Sequence, residues 1–296
     1  MRIVSVGECM VELSRASDGL WREAFAGDTF NTAWYIRASL PEGQIDYLTC
    51  LGRDPVSEDM LRFMQGAGIG TKAITRHPTR VPGLYMINLQ NGERSFTYWR
   101  ERSAARALAA DPEHLEASFA EADLIYFSGI TLAILTPNRR AVLLEALANA
   151  PGLVAFDSNM RPRLWSSQAE MCEWIQRGAA VADIALPSFD DEAQYFDDAS
   201  VQDTARRYHE AGVAEVLVKN GGEAMLALDA KGDEQELTFG ARLQPVDTTG
   251  AGDSFNGAYL AARMQGLDVP EAAQAGHRMA SRVIMHQGAL IPLQQL

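Results

Sequence analysis

Asp247-Thr248-Thr249-Gly250-Ala251-Gly252-Asp253-Ser254-Phe255 runs from a polar turn through two glycines into an apolar pattern. That pattern continues as Phe255, Ala258, Tyr259, Ala262 and Arg263, which is helical spacing. The spacing predicts that Gly250, Ala251 and Gly252 sit at a helix N-terminus. Backbone N–H groups and the positive end of the helix dipole attract an anion there, and small side chains let it come close. Asp253 falls in the same first turn. An acid beside an anion site costs electrostatic energy, and it fits if it takes a proton from a hydroxyl that attacks a bound phosphoryl group. The plainer alternative is a helix cap.

Five further segments carry polar side chains in suggestive places. Gly27-Asp28-Thr29-Phe30-Asn31 offers a close backbone approach and short polar arms before a helix; a turn with an N-cap uses the same residue types. Tyr98-Trp99-Arg100 places Tyr98 and Arg100 on one strand face, where a guanidinium fork beside a phenol suits a carboxylate or keto-acid. The alternative is an exposed cross-strand pair. Tyr85, in the neighbouring apolar run, is counted with them as substrate-binding. Asp157-Ser158-Asn159-Met160-Arg161 follows an apolar strand pattern, so Asp157 and Asn159 can reach metal or phosphate and Arg161 an anion. Ser188, Asp190, Asp191 and Glu192 follow another strand; acids there hold Mg²⁺ through water or favour a helix start. Lys219-Asn220-Gly221-Gly222 ends a third strand, giving Lys219 and Gly221 as nucleotide-side residues or a tight turn. Gly66-Ala67-Gly68-Ile69-Gly70 is set aside as a dinucleotide loop, because it follows a helix.

The elements that must position these residues alternate. Ile3–Val6, Asp46–Leu51, Leu124–Ser128, Val154–Asp157, Ile184–Leu186 and Glu215–Val218 read as strands. Asn31–Leu40, Glu58–Gln65, Pro137–Asn149, Ala169–Ala180 and Val201–Ala211 read as helices. Alternating βα units predict a mainly parallel sheet with helices on both faces. Two stretches break the alternation, Met10–Phe25 and Val81–Arg102. In the second, two β-prone runs flank Asn91-Gly92, a strong hairpin signal. They predict a small β cap over the carboxyl edge of the sheet, where ligands bind in open α/β folds.

The Asp247–Phe255 string resembles the signature of the ribokinase (PfkB) family of sugar and nucleoside kinases, and the resemblance extends from residue 3 to about residue 292. It implies a single domain, 1–296, built as a ribokinase-like three-layer sandwich with a β lid at about 10–27 and 80–103. It implies ATP and Mg²⁺ as cofactors, Asp253 as base, and Gly250, Ala251 and Gly252 holding the transferring group. Gly27, Asp28 and Asn31 match the family segment that holds sugar hydroxyls, with Ala26 where Gly is usual. Asp157 to Trp165 is similar to a hallmark of the 2-keto-3-deoxygluconate kinase branch, whose Arg, here Arg161, contacts substrate. On the nucleotide side the resemblance implies Asn159, Ser188, Lys219, Gly221, Gly250 and Gly252. Glu192 matches a family Glu that reaches the metal through water, but Phe189 replaces the usual Asn, and Ala224 replaces a usual Gly. A K⁺ ion beside Asp247 and Gly288 also belongs to what the family allows. The implied reaction is phosphorylation of the 6-hydroxyl of 2-keto-3-deoxygluconate, with Arg100 and Arg161 meeting its carboxylate. The runner-up is a kinase for a neutral ketose or ribose.

Composition narrows the classes. A net charge of −13 argues against nucleic acid and anionic membrane as partners. Cys9, Cys50 and Cys172 form neither metal spacing nor a disulfide framework, and no leader pattern opens the chain, so the cytoplasm is the expected location. Small-molecule partners and a homodimer or higher homo-oligomer through the lid are expected. Asp253 and both glycines argue against a non-catalytic binding protein. Val6-Gly7-Glu8-Cys9 lacks the glycine fingerprint of a nicotinamide-dependent oxidoreductase.

Overall fold

The computed structural model describes residues 1–15, 19–90, 93–240 and 243–296. The chain opens with β1 (Arg2–Val6), then β2 (Met10–Arg15), β3 (Trp21–Ala26), α1 (Asp28–Ser39), β4 (Gln44–Leu48) and β5 (Cys50–Leu51). It continues with α2 (Pro55–Gly66), β6 (Ile69–Gly70), β7 (Thr75–Arg76), β8 (Leu84–Gln90), β9 (Glu93–Trp99) and α3 (Pro112–Phe119). The alternating part follows: β10 (Leu124–Ser128), α4 (Gly129–Ala133), α5 (Pro137–Ala148), β11 (Leu153–Asp157), α6 (Gln168–Ala179), β12 (Ile184–Ala185), α7 (Phe189–Phe196), α8 (Val201–Glu210) and β13 (Glu215–Val218). It closes with β14 (Met225–Leu228), β15 (Glu234–Leu237), α9 (Ala251–Met264) and α10 (Val269–Val283).

The main sheet has the order β15-β14-β13-β12-β11-β10-β1-β4-β6. It is parallel from β6 to β13 and antiparallel only at the β14 and β15 edge. Successive strand residues enter opposite cores. Val4, Val6, Ile125 and Phe127 pack with Leu115, Leu143, Met171 and Tyr208, whereas Ile3, Leu124 and Tyr126 pack with Ile36, Met60, Tyr259 and Ala272. Period-two alternation in a doubly covered strand gives this helix–sheet–helix sandwich.

The strand expected over Asp46–Leu51 is two strands. The first pairs with β1 in the main sheet, and after Thr49 the chain leaves it so that Cys50 and Leu51 pair with Thr75 and Arg76. Apolar content alone cannot register such a change of partner. The glycine run at residues 66–70 is a helix end, with Gly68 at φ 72° where the chain turns into β6.

A separate four-stranded sheet has the order β3-β2-β8-β9, with β2 and β8 parallel and the other pairs antiparallel. β8 and β9 form the expected hairpin; its Asn91-Gly92 turn lies outside the described residues. Val11, Phe25 and Leu84 on one face pack into the main core. Met10, Ala26, Tyr85 and Ile87 on the other face form a small cluster of their own.

Candidate active site

Because the central strands run parallel, their carboxyl ends bring Glu8, Ser128, Asp157, Ser188 and Lys219 to one edge of the sheet. The N-termini of α1 and α9 meet that edge. Close approach there needs glycine: a side chain at Gly27 would collide with the carbonyl oxygen of Glu8, and one at Gly7 with Thr29.

Asp253 occupies the first turn of α9, behind the N-cap Gly250. Asn31 Nδ2 donates to Asp253 Oδ2 at 2.8 Å, and Asn31 Oδ1 accepts from the Gly27 amide at 3.3 Å. Two loops far apart in sequence are thereby joined at one carboxylate. Burial, reinforced by the nearby charge of Asp28, pushes Asp253 up to about 7, against the lowering effect of the Asn31 hydrogen bond. Asp28 is also raised, mainly by burial. Its Oδ2 accepts from Ser128 Oγ and from Asn159 Nδ2.

Behind these acids lies a second polar cluster. Lys219 Nζ donates to Asp157 Oδ2 and to Asn256 Oδ1, both at 3.1 Å, and Asn256 Nδ2 donates to Asp157 Oδ2 at 2.6 Å. A Cβ on Gly252 would stand 3.8 Å from Lys219 Nζ, so the ammonium lies beside the N-terminus of α9. Gly250 has φ 76°, and a Cβ there would press on the Ala289 carbonyl at 2.9 Å. The result is a helix N-terminus with a cation on one flank and a raised carboxylate on the other. It can hold a phosphoryl group and accept a proton beside it.

Gly27, Asp28, Asn31, Asp253, Gly250, Ala251, Gly252 and Lys219 are therefore together. The other expected residues are placed differently. Asn159, expected toward a nucleotide, spends its amide on Asp28, and its backbone is held at φ 29° with its N–H donating to Asp157 Oδ1. Glu192 is fully buried, accepting from Arg207 Nη2 at 2.7 Å and from Tyr208 at 2.9 Å. The Arg and Tyr that bond it lie 15 and 16 residues later on α8, so these bonds tie α7 to α8. Arg100 is buried and binds the Glu8 carboxylate through Nε at 2.9 Å and through Nη2, so its charge is already matched. Tyr85 is buried and donates to Glu12, whereas Tyr98 is half exposed. Arg161 is about half exposed; Nη1 donates to its own neighbour Met160 O at 2.6 Å and stands 3.9 Å from Asp191. Ser188 precedes α7 and its backbone bridges to Lys219. Gly221 has φ 53° and lies near Asp190.

Glu8, Ser128 and Asn256 belong to the site and carry no motif of their own. The strand-end rule points to the first two, at the carboxyl ends of β1 and β10. Asn256 lies three residues after Asp253, on the same helix face.

The pfkB family carbohydrate kinase model matches residues 1–296. The chain belongs to the pfkB carbohydrate kinase family. A 2-dehydro-3-deoxygluconokinase of Dickeya dadantii is 41% identical over 306 residues, covering 99% of this chain and 98% of that protein. The enzyme of the same name from Escherichia coli K12 is 40% identical, covering 98% and 97%. Among solved structures, aminoimidazole riboside kinase from Salmonella enterica, complexed with aminoimidazole riboside and an ATP analogue, superimposes with a TM-score of 0.84 at 25% identity, covering 99% and 96%. The 2-dehydro-3-deoxygluconokinase of Thermotoga maritima gives a TM-score of 0.85 at 20% identity, covering 98% and 96%, and shows the shared fold. ATP and Mg²⁺ are the expected co-substrate and cation of this family.

Proposed function

We propose that the protein transfers the γ-phosphoryl group of ATP to the 6-hydroxyl of 2-keto-3-deoxygluconate. The observation that carries the reading is Asp253, raised to about 7 at the N-terminus of α9 and hydrogen-bonded to Asn31. The names of the relatives at about 40% identity supply the acceptor.

In this reading Asp28 and Asn31, with Gly27 letting the chain approach, orient the acceptor hydroxyls. Asp253 takes the proton of the 6-hydroxyl while that oxygen forms a bond to the γ-phosphorus. The bond from that phosphorus to the β–γ bridging oxygen breaks, and ADP leaves. N–H groups around Gly250, Ala251 and Gly252, with Lys219 beside them, hold the charge on the transferring group. Among the described residues no three His, Cys, Asp or Glu gather as a metal cage. That fits a Mg²⁺ held chiefly by phosphates and water, with the acids Asp190 and Asp191 at the start of α7 as its nearest protein partners. When bound, it neutralises charge on the nucleotide phosphates. Nearby, Asp247 Oδ1 accepts from Thr249 and Oδ2 from the Gly288 amide.

The four-stranded sheet acts as the lid, with Tyr85, Tyr98 and Arg100 over the acceptor, and Arg161 reaches from the opposite loop. Ser188 and Gly221 line the nucleotide side. A homo-oligomer formed through the lid and a cytoplasmic location complete the proposal; among the described residues no helix is long and apolar enough to cross a membrane.

A coupled ADP-release assay with Mg-ATP tests it, comparing 2-keto-3-deoxygluconate with fructose and ribose. Turnover of the keto-acid should dominate, Asp253→Asn should lower kcat about 10²–10⁴-fold, and Arg161→Ala should raise the KM for the keto-acid. A preference for fructose or ribose would overturn the acceptor and leave the base in place.

A further inference from the structure

Leu164-Trp165 closes the loop after β11, and the proposed reaction uses neither residue. Trp165 is buried in the same core as Trp174 of α6. Its indole N–H has no hydrogen-bond partner among the described residues. A buried N–H left unbonded costs stability, so the ring contributes by its face. That face meets Arg140 of α5, whose guanidinium carbon lies 4.5 Å from the centre of the Trp165 ring and 5.2 Å from that of Trp174.

Arg140 is 4% exposed. Its Nε donates to Leu132 O of α4 at 2.8 Å, and its Nη1 donates to Glu170 Oε1 of α6 at 2.6 Å. Glu170 passes the restraint back to the loop: Oε2 accepts from the Ser166 amide at 3.1 Å and from Ser166 Oγ at 2.5 Å. The Ser166 bonds and the Arg140 guanidinium hold the Glu170 carboxyl down at about 2, so it is ionised at neutral pH. Arg140 thus joins α4, α5 and α6 to residues 165 and 166, stacking on the first and reaching the second through Glu170.

The opposite end of the loop is also fixed. Ser158 O lies so close to Gly129, at the start of α4, that a side chain there would collide with it. Asn159 is held at φ 29°, its backbone N–H donating to Asp157 and its Nδ2 to Asp28. Met160 is buried, and Leu164 packs on the same core as Trp165. The 3₁₀ turn Pro162–Leu164 spans the rest, with the Leu164 amide donating to Arg161 O at 2.9 Å and the Trp165 amide to Pro162 O at 3.1 Å. Between the anchored ends, Arg161, Pro162 and Arg163 stand outward. The Arg161 side chain contacts Met160 O and, at 3.9 Å, Asp191, which leaves its position to the backbone beneath it. An arginine that meets a carboxylate in one geometry loses side-chain entropy in doing so. A fixed backbone keeps that loss small.

We propose that Arg140 is a positioning residue for acceptor binding: with Trp165, Glu170 and Ser166 it clamps the loop after β11, so that Arg161 is presented to the acceptor's carboxylate. The inference rests on the kinase reading above, in which Arg161 reaches the acceptor.

The test is steady-state kinetics with Mg-ATP and 2-keto-3-deoxygluconate for Ser166→Ala, Glu170→Ala, Trp165→Leu and Arg140→Gln, each alone and combined with Arg161→Ala, alongside Tm. Glu170→Ala, Trp165→Leu and Arg140→Gln should raise the KM for the keto-acid roughly 5–30-fold, part of the worth of a charge-assisted hydrogen bond. Ser166→Ala should raise it by a smaller factor. Their kcat and KM for ATP should stay within a few-fold. On the Arg161→Ala background the same changes should leave the KM where Arg161→Ala alone puts it, because the clamp then has nothing to position. Limited trypsin digestion reads the loop directly. Arg161 precedes a proline and resists cleavage, so the cut falls after Arg163, and it should come faster in Ser166→Ala and Glu170→Ala than in wild type. An unchanged KM in the clamp variants, an equal rise with and without Arg161, or cleavage at the wild-type rate would overturn the inference. If the buried variants fail to fold, Ser166→Ala, at an exposed position, decides alone. Wild type that ignores the keto-acid, or Arg161→Ala with a wild-type KM, would overturn the acceptor reading and this inference together. A raised KM in Arg161→Ala beside unaffected clamp variants overturns only the inference.

Discussion

In the proposed reaction Asp253 acts as a base, yet it sits where its charge is unwelcome. Burial and the neighbouring Asp28 raise it to about 7, so near neutral pH about half the molecules carry the ionised form that can take a proton. The rate consequence has a definite sign: kcat/KM for the acceptor falls about tenfold per unit as pH drops below 7, and a flat profile between pH 5 and 7 would remove Asp253 as base. The stability consequence has the opposite sense. The folded carboxyl binds its proton more tightly than the unfolded one, whose ordinary value is 3.8. Its contribution is thus most favourable at low pH and is lost as pH rises toward 7. Asp253→Asn cannot ionise, so it should gain Tm over wild type at pH 8 and lose most of that gain at pH 4. Thermal melts at both values check it, and equal Tm differences at the two would mean that the carboxyl is not raised.

The N-terminus of α9 separates binding from folding through its two glycines. Gly250 needs its left-handed φ of 76°, and a Cβ there meets backbone at 2.9 Å, so Gly250→Ala should cost about 1–3 kcal/mol of stability. Gly252 is exposed, helical, and near nothing but Lys219 Nζ, so Gly252→Ala should fold as well as wild type. It fills the space an anion would take, and KM for ATP or kcat should worsen at least tenfold; wild-type kinetics in Gly252→Ala would move the phosphate elsewhere. This loop was legible in the sequence because its chemistry is local: glycine spacing, an acid, then helical periodicity. The parallel strands and the β8–β9 hairpin were legible for the same reason. What pairs with what was not. Arg100 and Glu8 are 92 positions apart, Ser128 and Asp28 100, Asn159 and Asp28 131. Nothing local shows that Glu8 bonds Arg100 or that Asp28 bonds Asn159. The partners of Glu192, Arg207 and Tyr208, come only with α8 and were not legible either.

At the scale of the whole molecule, the four-stranded sheet proposed as the lid poses a problem of surface. The strand register puts Trp21, Val11, Phe25, Leu84 and Trp99 on one face of the small sheet. The inner part of that face packs on the core, but Trp21 and Trp99 remain 41% and 55% exposed. Both lie on edge strands, β3 and β9, whose outer backbone groups no neighbouring strand of that sheet pairs. A second copy of the chain would cover rings and edges together. Against this stands a net charge of −13 on each copy. That repulsion is long-ranged at low salt and is largely screened beyond about 10 Å at 0.1 M, whereas burial of apolar surface does not weaken with salt. Association through the lid should therefore strengthen as ionic strength rises from about 10 to 150 mM, the range over which the screening length shortens from about 30 to 8 Å. Sedimentation velocity across that range should show the dimer fraction growing, and Trp99→Glu should hold the protein monomeric throughout. A stable dimer needs about 800 Å² from each partner, more than two rings provide, so the edge strands must contribute. A dimer that weakens with salt, or one that Trp99→Glu leaves intact, would place the interface away from the lid.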